Sequence, residues 1–477
     1  MARKRPTVQL LDNKGRLTEG NLVHYKGKRK EVFGALQKLS AMSVWDLTLD
    51  GSVMHLGASI GEKDESNKDR KLIDLGEADD KSVCVYTANT MGFVCVDGVD
   101  IFITSRFDNP ESTTCLMRML SEALGWSYAK EQVNAAPEAD ALKDLHAMLF
   151  PKFLKEALAQ GLFRSYRRVN FNDMRVRGRM DVPRHISKNI PFNGRIAYTS
   201  REHTENNHVT QLIRHTIEFI RQEKMRCPLD QEAKSAVAII RQATPDYDSK
   251  DFLKVLNYNI KHPAHHSYYT KYTALQALCI SILQRKRIGF GGKSNKSIYG
   301  ILFDGAWLWE EYMAAVVRKH FQHYTDRNSN FKLFKNENGE GQKWVKTIIP
   351  DFLSPAKSDG NNENNYAAVA DAKYMRLEDR LNLKGEQAYS VYYKTLMYML
   401  RFNARKGFIF YPMEAEEADT ANETNSDHKI TKLQVEGTDK EFYIAGFRIP
   451  TNAKEYKTSE ESFAEAIEKY LQETINN

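Results

Sequence analysis

The stretch from Thr347 to Tyr374 constrains this chain more than any other. It opens with a short apolar run that breaks at Pro350-Asp351-Phe352, crosses a polar loop, and ends in Tyr366-Ala-Ala-Val-Ala-Asp371-Ala372-Lys373-Tyr374. Both ends read as strands, since both are short apolar runs bounded by Pro, Gly and Asn clusters. In the second run, period-two alternation sets Val369, Asp371 and Lys373 on one face and Ala370 and Ala372 on the other. A carboxylate and an ammonium two residues apart on a buried strand are costly without a task. With Asp351 approaching from the preceding strand, two carboxylates can hold a hard divalent cation while Lys373 meets the attacking water or a scissile phosphate. That arrangement suits phosphodiester cleavage. The bland alternative is an edge strand closed by a surface ion pair.

A chain of 477 residues has room for two or three domains, and 42% hydrophobic with 27% charged residues is ordinary for a soluble globular protein. It holds no uninterrupted apolar segment of about 18 residues. The start, Met-Ala-Arg-Lys-Arg, lacks the apolar stretch of a signal peptide, so the expected location is cytoplasmic, with no membrane contact. Cys84, Cys95, Cys115, Cys227 and Cys279 are widely spaced and never form a C-x-x-C pair; they read as reduced core thiols.

The formal net charge of +7 says less than its distribution. Between Pro151 and Lys224 there are 15 Lys or Arg against 7 Asp or Glu, a surplus as large as that of the whole chain. Tyr166-Arg167-Arg168 and Arg175-Val-Arg177-Gly178-Arg179 are the densest parts, and Arg167, Arg168, Arg177 and Arg179 are candidates for contacts with DNA phosphates. A solvated basic face, or a surface for an acidic protein partner, is the competing reading.

Along the chain three regions follow one another. Residues 1–130 read as a β-rich domain: 81–86, 92–97 and 99–104 are β-branched and aromatic runs separated by Asn89 and by Asp97-Gly98, a hairpin signal. Asp64 to Lys71 reads as a charged loop, and Leu116, Met119, Leu120 and Ala123 recur at helical spacing. Residues 131–290 read as a helical, basic middle region. Its helices are Ala139 to Gly161, which Pro151 can kink or split, Asn207 to Lys224, Asp230 to Ala243, and Tyr268 to Arg285. His262, His265 and His266 have no carboxylate or cysteine at ligand spacing and read as loop or capping residues rather than a metal site. Gly289-Phe-Gly-Gly292-Lys293-Ser294 ends like a phosphate-binding loop, but the glycine required five positions before Gly292 is Arg287, so no nucleotide site is expected in this chain.

Residues 291–477 read as a compact α/β domain, a mixed sheet flanked by helices. The expected order is a helix from Ile301 to Phe321, the two strands of the opening stretch, a helix from about Gln387 to Phe402, a strand at 407–412, an acidic loop from Glu414 to Asp427, a strand at 442–447 and a closing helix from Glu460 to Thr474. Glu310 lies beside the apolar face of its helix and is a candidate third acidic group; Glu311 is the weaker candidate. Lys394 and Tyr398 are one turn apart, face the same way and are further candidates for contact with DNA.

Pro350-Asp351 followed by Asp371-Ala372-Lys373 resembles the PD-(D/E)xK nuclease superfamily. Taken with Ile103-Thr-Ser-Arg-Phe107, Gly161-Leu-Phe-Arg-Ser-Tyr166, Arg177-Gly-Arg179-Met-Asp181, Asn206-Asn207 with Leu212, Leu302-Phe303 and Leu308-Trp309-Glu310-Glu311-Tyr312, it is similar over most of the chain to the McrC-type subunit of McrBC restriction systems. The resemblance implies that the last domain is a restriction-endonuclease-like fold acting on double-stranded DNA. It also implies that the N-terminal part docks onto and stimulates a ring-forming, GTP-hydrolysing AAA+ partner, which recognises modified or specific DNA in a hetero-oligomeric complex. Related nucleases often carry Gln and Tyr four apart on the helix after the active strand; here those positions hold Lys394 and Tyr398. A lysine contacts a phosphate only as a point charge, and the amide's role is lost.

The expected chemistry is Mg²⁺-dependent hydrolysis of DNA, with Mn²⁺ as a substitute. Asp351 and Asp371 bind the ion, Glu310 and the Ala372 carbonyl assist, and Lys373 orients or helps deprotonate the water. Two other readings stay open: a non-catalytic DNA-binding adaptor that activates an AAA+ motor, and a restriction enzyme of the same family that cuts at an unmodified asymmetric sequence.

Overall fold

The computed structural model describes residues 5–13, 21–22, 25–49, 53–57, 69–77, 83–108, 113–123, 144–225, 227–289, 298–324, 331–334, 347–355, 366–377, 386–414 and 428–472. Among these the chain is mixed α/β, with several sheets and thirteen α-helices. Part of the loop at Asp64 to Lys71, most of the glycine-rich stretch after Gly289, nearly all of the acidic loop and the first turn expected at Ala139 lie outside the described residues.

The first six-stranded sheet runs in the order Tyr25–Lys26, Thr7–Leu11, Val99–Thr104, Thr90–Val96, Ile298–Asp304, Val53–Leu56. Its hairpin closes where the sequence signals it. Val96 pairs with Val99, and Asp97 and Gly98 both take positive φ, 50° and 84°, as a tight turn between right-twisted strands demands. Gly92 sits at φ 137°, and a Cβ there would come within 2.1 Å of the Ile301 carbonyl oxygen, so the neighbouring strand can lie against it only because the side chain is absent.

Ile298–Asp304 corrects the expected organisation. Leu302 and Phe303, read as the start of a helix in the last domain, are the middle of a strand that fills the first sheet between Thr90–Val96 and Val53–Leu56. The helix begins at Gly305, capped by the Asp304 carboxylate accepting from the backbone N–H of Ala306 and Trp307, and runs to Val316. A boundary at 290 therefore does not separate the sheets.

The middle region is not purely helical. Ser165–Asp173, Ile196–Thr204 and Arg179–Met180 form a three-stranded antiparallel sheet, with the helix Val182–Asn189 between its strands. The expected helices appear at Leu145–Ala159, unbroken at Pro151, and at His208–Gln222, capped by Asn207. Lys234–Ala243 is preceded by a separate short turn at Leu229–Glu232, and Lys271–Gly289 follows an unexpected helix at Phe252–Lys261. All five cysteines are free, four of them buried.

The second six-stranded sheet is mixed. Its order is Gln322–His323, Phe352–Pro355, Tyr366–Ala372, Lys406–Met413, Glu441–Arg448, His428–Gln434, with the three central strands parallel. Lys406–Met413 is buried along its whole length, as a central parallel strand covered on both faces must be. Helices Gly305–Val316 and Tyr456–Gln472 cover one face, where Trp309, Phe410, Phe447 and Phe463 pack; Glu386–Arg401 covers the other, with Tyr398 and Met399 against Val369 and Ile409.

A buried polar knot binds the two large sheets. Asp12 accepts from the Arg106 backbone N–H at 2.6 Å and faces the Arg106 guanidinium at 3.6 Å. Arg106 in turn donates to the carbonyl of Tyr374 at 2.8 Å and lies over its ring, while the Tyr374 hydroxyl reaches Ser105 at 2.9 Å. Burial pushes the Asp12 carboxyl up to about 6, with Arg106 opposing. A raised carboxyl means that between about pH 4 and 6 the folded chain keeps a proton that the unfolded chain has released, so this group's contribution to stability is full below pH 4 and is lost as pH rises through 6. Chemical denaturation of the native chain and of Asp12→Asn should therefore show the native chain losing up to about 3 kcal/mol relative to the variant between pH 4 and 7. A difference that is flat or grows with pH would refute the assignment.

Candidate active site

Asp371 lies near the carboxyl end of the strand Tyr366–Ala372, on the face it shares with Val369, and its side chain has no exposed surface. Open sheets with parallel strands place ligands at this end. Asp351, 8% exposed, immediately precedes the strand Phe352–Pro355, which pairs antiparallel with Tyr366–Ala372 through Phe352 and Ala370. Its Oδ2 accepts from the backbone N–H of Ala372 at 2.9 Å, so the two acidic residues are locked in one register. The alternation expected from sequence holds: Lys373 forms an ion pair with Asp371 Oδ2.

Lys394 completes the cluster. It projects from the helix Glu386–Arg401 with its Nζ 2.8 Å from Asp371 Oδ1 and 3.3 Å from Asp351 Oδ1, so one ammonium bridges both carboxylates. The electrostatics follow. Burial pushes Asp371 up, but Lys373 and Lys394 outweigh it and hold the carboxylate below its ordinary range. Asp351 is pushed up by burial and by the charge of Asp371, with Lys394 opposing. For Lys394 itself, burial favours the neutral amine, and the two carboxylates reverse that and raise it.

Glu310 stands near enough to raise Asp351, yet its Oε1 is bonded to His323 Nε2 at 2.9 Å. Burial alone would lower His323; the bond to Glu310 and the charges of Glu311 and Asp351 raise it instead. Glu311 is itself pushed up by burial. Among the described residues no three His, Cys, Asp or Glu side chains are gathered to hold an ion, so Glu310 is an acidic neighbour with its own partner rather than an assembled third ligand.

The donor set of Asp351 and Asp371 nevertheless fits a hard divalent cation. Both are carboxylates, both are buried, and a cation already spans their Oδ1 atoms.

Tyr398 departs from the sequence reading. It is 3% exposed, and its hydroxyl donates to the Ile349 carbonyl at 2.7 Å, which pins the turn before Asp351 instead of reaching toward DNA.

The basic residues of the middle sheet separate by face. Arg168 and Arg179 are exposed on one side. Arg167 points to the other, donating to the Asn206 carbonyl at 3.0 Å and pairing with Asp246 at 3.2 Å, so its charge is committed within the fold. Arg177 is exposed beside Phe171. Arg201, which sequence reasoning missed, pairs directly opposite Arg168 and lies over the Tyr166 ring at 4.8 Å. No linear motif points to it; only strand register brings it there. His262 bonds the Tyr258 carbonyl and His266 accepts from the backbone N–H of Tyr268, as capping residues do.

The model of the McrBC 5-methylcytosine restriction system component family matches residues 85–412. The chain belongs to this family. In fold it is similar to a chain of the half-complex of Thermococcus gammatolerans McrB AAA+ hexamers with bound McrC, at 14% identity and a TM-score of 0.50, covering 97% of this chain and 100% of that one. A second structure, the McrBC complex of the same organism, aligns at 15% identity over 66% of this chain and 87% of the other, with a TM-score of 0.35. No curated protein matches. No described helix is long and apolar enough to cross a membrane.

Within this McrBC component, the buried Tyr398 hydroxyl has a measurable structural role. Tyr398→Phe should cost about 1 kcal/mol in chemical denaturation while leaving DNA affinity unchanged. Weakened DNA binding with unchanged stability would instead return Tyr398 to the DNA-contacting set.

Proposed function

We propose that this chain is the DNA-cleaving subunit of an McrBC-type restriction system. It hydrolyses a DNA phosphodiester at Asp351, Asp371 and Lys373 with Mg²⁺ or Mn²⁺, in the cytoplasm, while docked on a GTP-hydrolysing AAA+ ring that recognises modified DNA. The observation that supports this most is the convergence of two buried carboxylates and two ammonium groups at one end of a mixed sheet. Membership of the family and the likeness in fold to a structure described as McrB hexamers with bound McrC support the partner.

Asp351 and Asp371 would hold the ion, and Glu310 would join them on exchanging His323 for it. Bound there, a divalent ion supplies polarisation of a phosphoryl oxygen and a more acidic water. The protein's own groups do the rest. The Ala372 N–H fixes one Asp351 oxygen, so the carboxylate is oriented before substrate arrives. Lys373, anchored by its backbone N–H to the Phe410 carbonyl at 2.8 Å, keeps its ammonium beside Asp371, where it orients the water and stabilises charge developing on the phosphorane. The exposed Arg168, Arg179 and Arg201 hold the phosphate backbone.

The adaptor reading draws on one observation: both carboxylates are already neutralised by lysines, as structural ion pairs would be. One experiment separates the two. Asp371→Ala and Lys373→Ala should each lower cleavage of long modified DNA by at least about 100-fold, with the partner and GTP present, while stimulation of the partner's GTP hydrolysis persists. Cleavage retained by either variant would remove the assignment. Loss of cleavage should also follow omission of the partner.

For the basic face, Arg168→Ala with Arg201→Ala should reduce the slope of log affinity against log salt by about 2 in DNA binding. An unchanged slope with weakened partner docking would make this face a protein contact.

A further inference from the structure

The oxygens of the acidic pair are shared out unevenly. Asp351 Oδ2 is taken by the Ala372 N–H and Asp371 Oδ2 by Lys373. The two remaining oxygens, both Oδ1, converge on a single group, the ammonium of Lys394. Two carboxylates buried this deeply repel one another and cannot be left without a counter-charge. Whatever neutralises the pair from within the chain therefore stands where a metal ion would stand.

We propose that Lys394 is the resident counter-ion of this site: its ammonium bridges Asp351 and Asp371 while no divalent ion is bound, and leaves the pair when one enters. The inference rests on the metal-dependent reading above and adds to it a built-in competitor for the metal. The Lys394 side chain is 40% exposed, whereas Asp371 is wholly buried, so the lysine is the member free to move. It swings on a flexible four-carbon stem. The Tyr398 ring, one turn along and with its centroid 5.5 Å from Nζ, offers the ammonium an aromatic face to stay against as it moves. Once displaced, the charge lies beside the bound ion on the solvent side, where a DNA phosphate would meet it. Lys373 is not the competitor, because it contacts Oδ2 of Asp371 and does not reach Asp351.

Metal binding and chain stability should then respond to Lys394 in opposite directions. Mn²⁺ affinity is measured by titration calorimetry at pH 8 on the full chain without DNA, and Tm with and without Mn²⁺. The native chain should bind one Mn²⁺ in a manner lost in Asp371→Ala. Lys394→Met should bind Mn²⁺ about tenfold more tightly, within the usual range of coupling between two bound groups. Its metal-free Tm should fall by about 3 °C, and saturating Mn²⁺ should raise it by more than in the native chain. Lys394→Arg, which keeps the charge, should stay within about threefold of native affinity. Arg401→Met removes a cation on the same helix whose Nε donates to the Lys332 carbonyl, far from the pair, and should leave affinity unchanged. If Lys394→Met fails to fold, Lys394→Gln carries the same comparison. Equal or weaker Mn²⁺ binding by the neutral variants, with Asp371-dependent binding intact in the native chain, would overturn the counter-ion while leaving the nuclease reading standing. Absence of Asp371-dependent binding in the native chain would overturn both.

Discussion

A carboxylate with no exposed surface, Asp371, is the constraint on which this end of the molecule depends. Removing one charged partner from a buried pair typically costs about 3–5 kcal/mol, because the survivor keeps its desolvation penalty without its attraction. The fold answers with two lysines, Lys373 immediately after the same strand and Lys394 from the covering helix. That answer requires the helix to approach closely. It does so at Gly407, where an added Cβ would come within 2.4 Å of Met399 Sδ and 3.3 Å of Thr395 Cγ2, so two side chains of the helix pack directly on the bare central strand.

The position of Lys373 is set from the opposite side as well. Tyr374, the next residue, is buried in the first sheet's polar knot, with its carbonyl held by Arg106 and its hydroxyl by Ser105. Ile298–Asp304 belongs to that first sheet and runs straight into the helix that carries Glu310. A second tie lies further round: Arg118, from the helix Thr114–Ala123, donates through Nε to Glu460 at 2.8 Å, and the same carboxylate accepts from Tyr312 at 2.8 Å. The N-terminal residues thus form one wall of the body that holds the acidic pair.

The acidic pair itself was legible in sequence because strands are short and their period is two: once Tyr366–Ala372 is a strand, Asp371 and Lys373 must share a face. The Asp97-Gly98 hairpin was legible for the same local reason. What failed was tertiary. Leu302 and Phe303 precede a periodic aromatic helix and read as part of it, since a short apolar run cannot be assigned to strand or helix by spacing alone. The middle sheet is hidden in sequence because Ser165–Asp173 sets exposed residues against only partly buried ones, Arg167 among them, leaving no apolar face to reveal a strand. Arg201 and the bridging contact of Lys394 depend on register and on helix placement, which spacing in the chain does not encode.

The middle sheet shows the same physics as the acidic pair with the signs reversed. Arg168 and Arg201 stand directly opposite on an exposed face, and like charges in that position are destabilising. The Tyr166 ring beneath Arg201 offsets part of this, and solvent screens more of it, but neither gives the pair a counter-charge. At the acidic site the fold supplies that counter-charge from within, because burial leaves no alternative. At the basic face exposure makes the cost tolerable, because solvent screens the repulsion. The two sites therefore differ in solvent access: burial obliges the chain to carry its own counter-charge, and exposure leaves that task to the solvent.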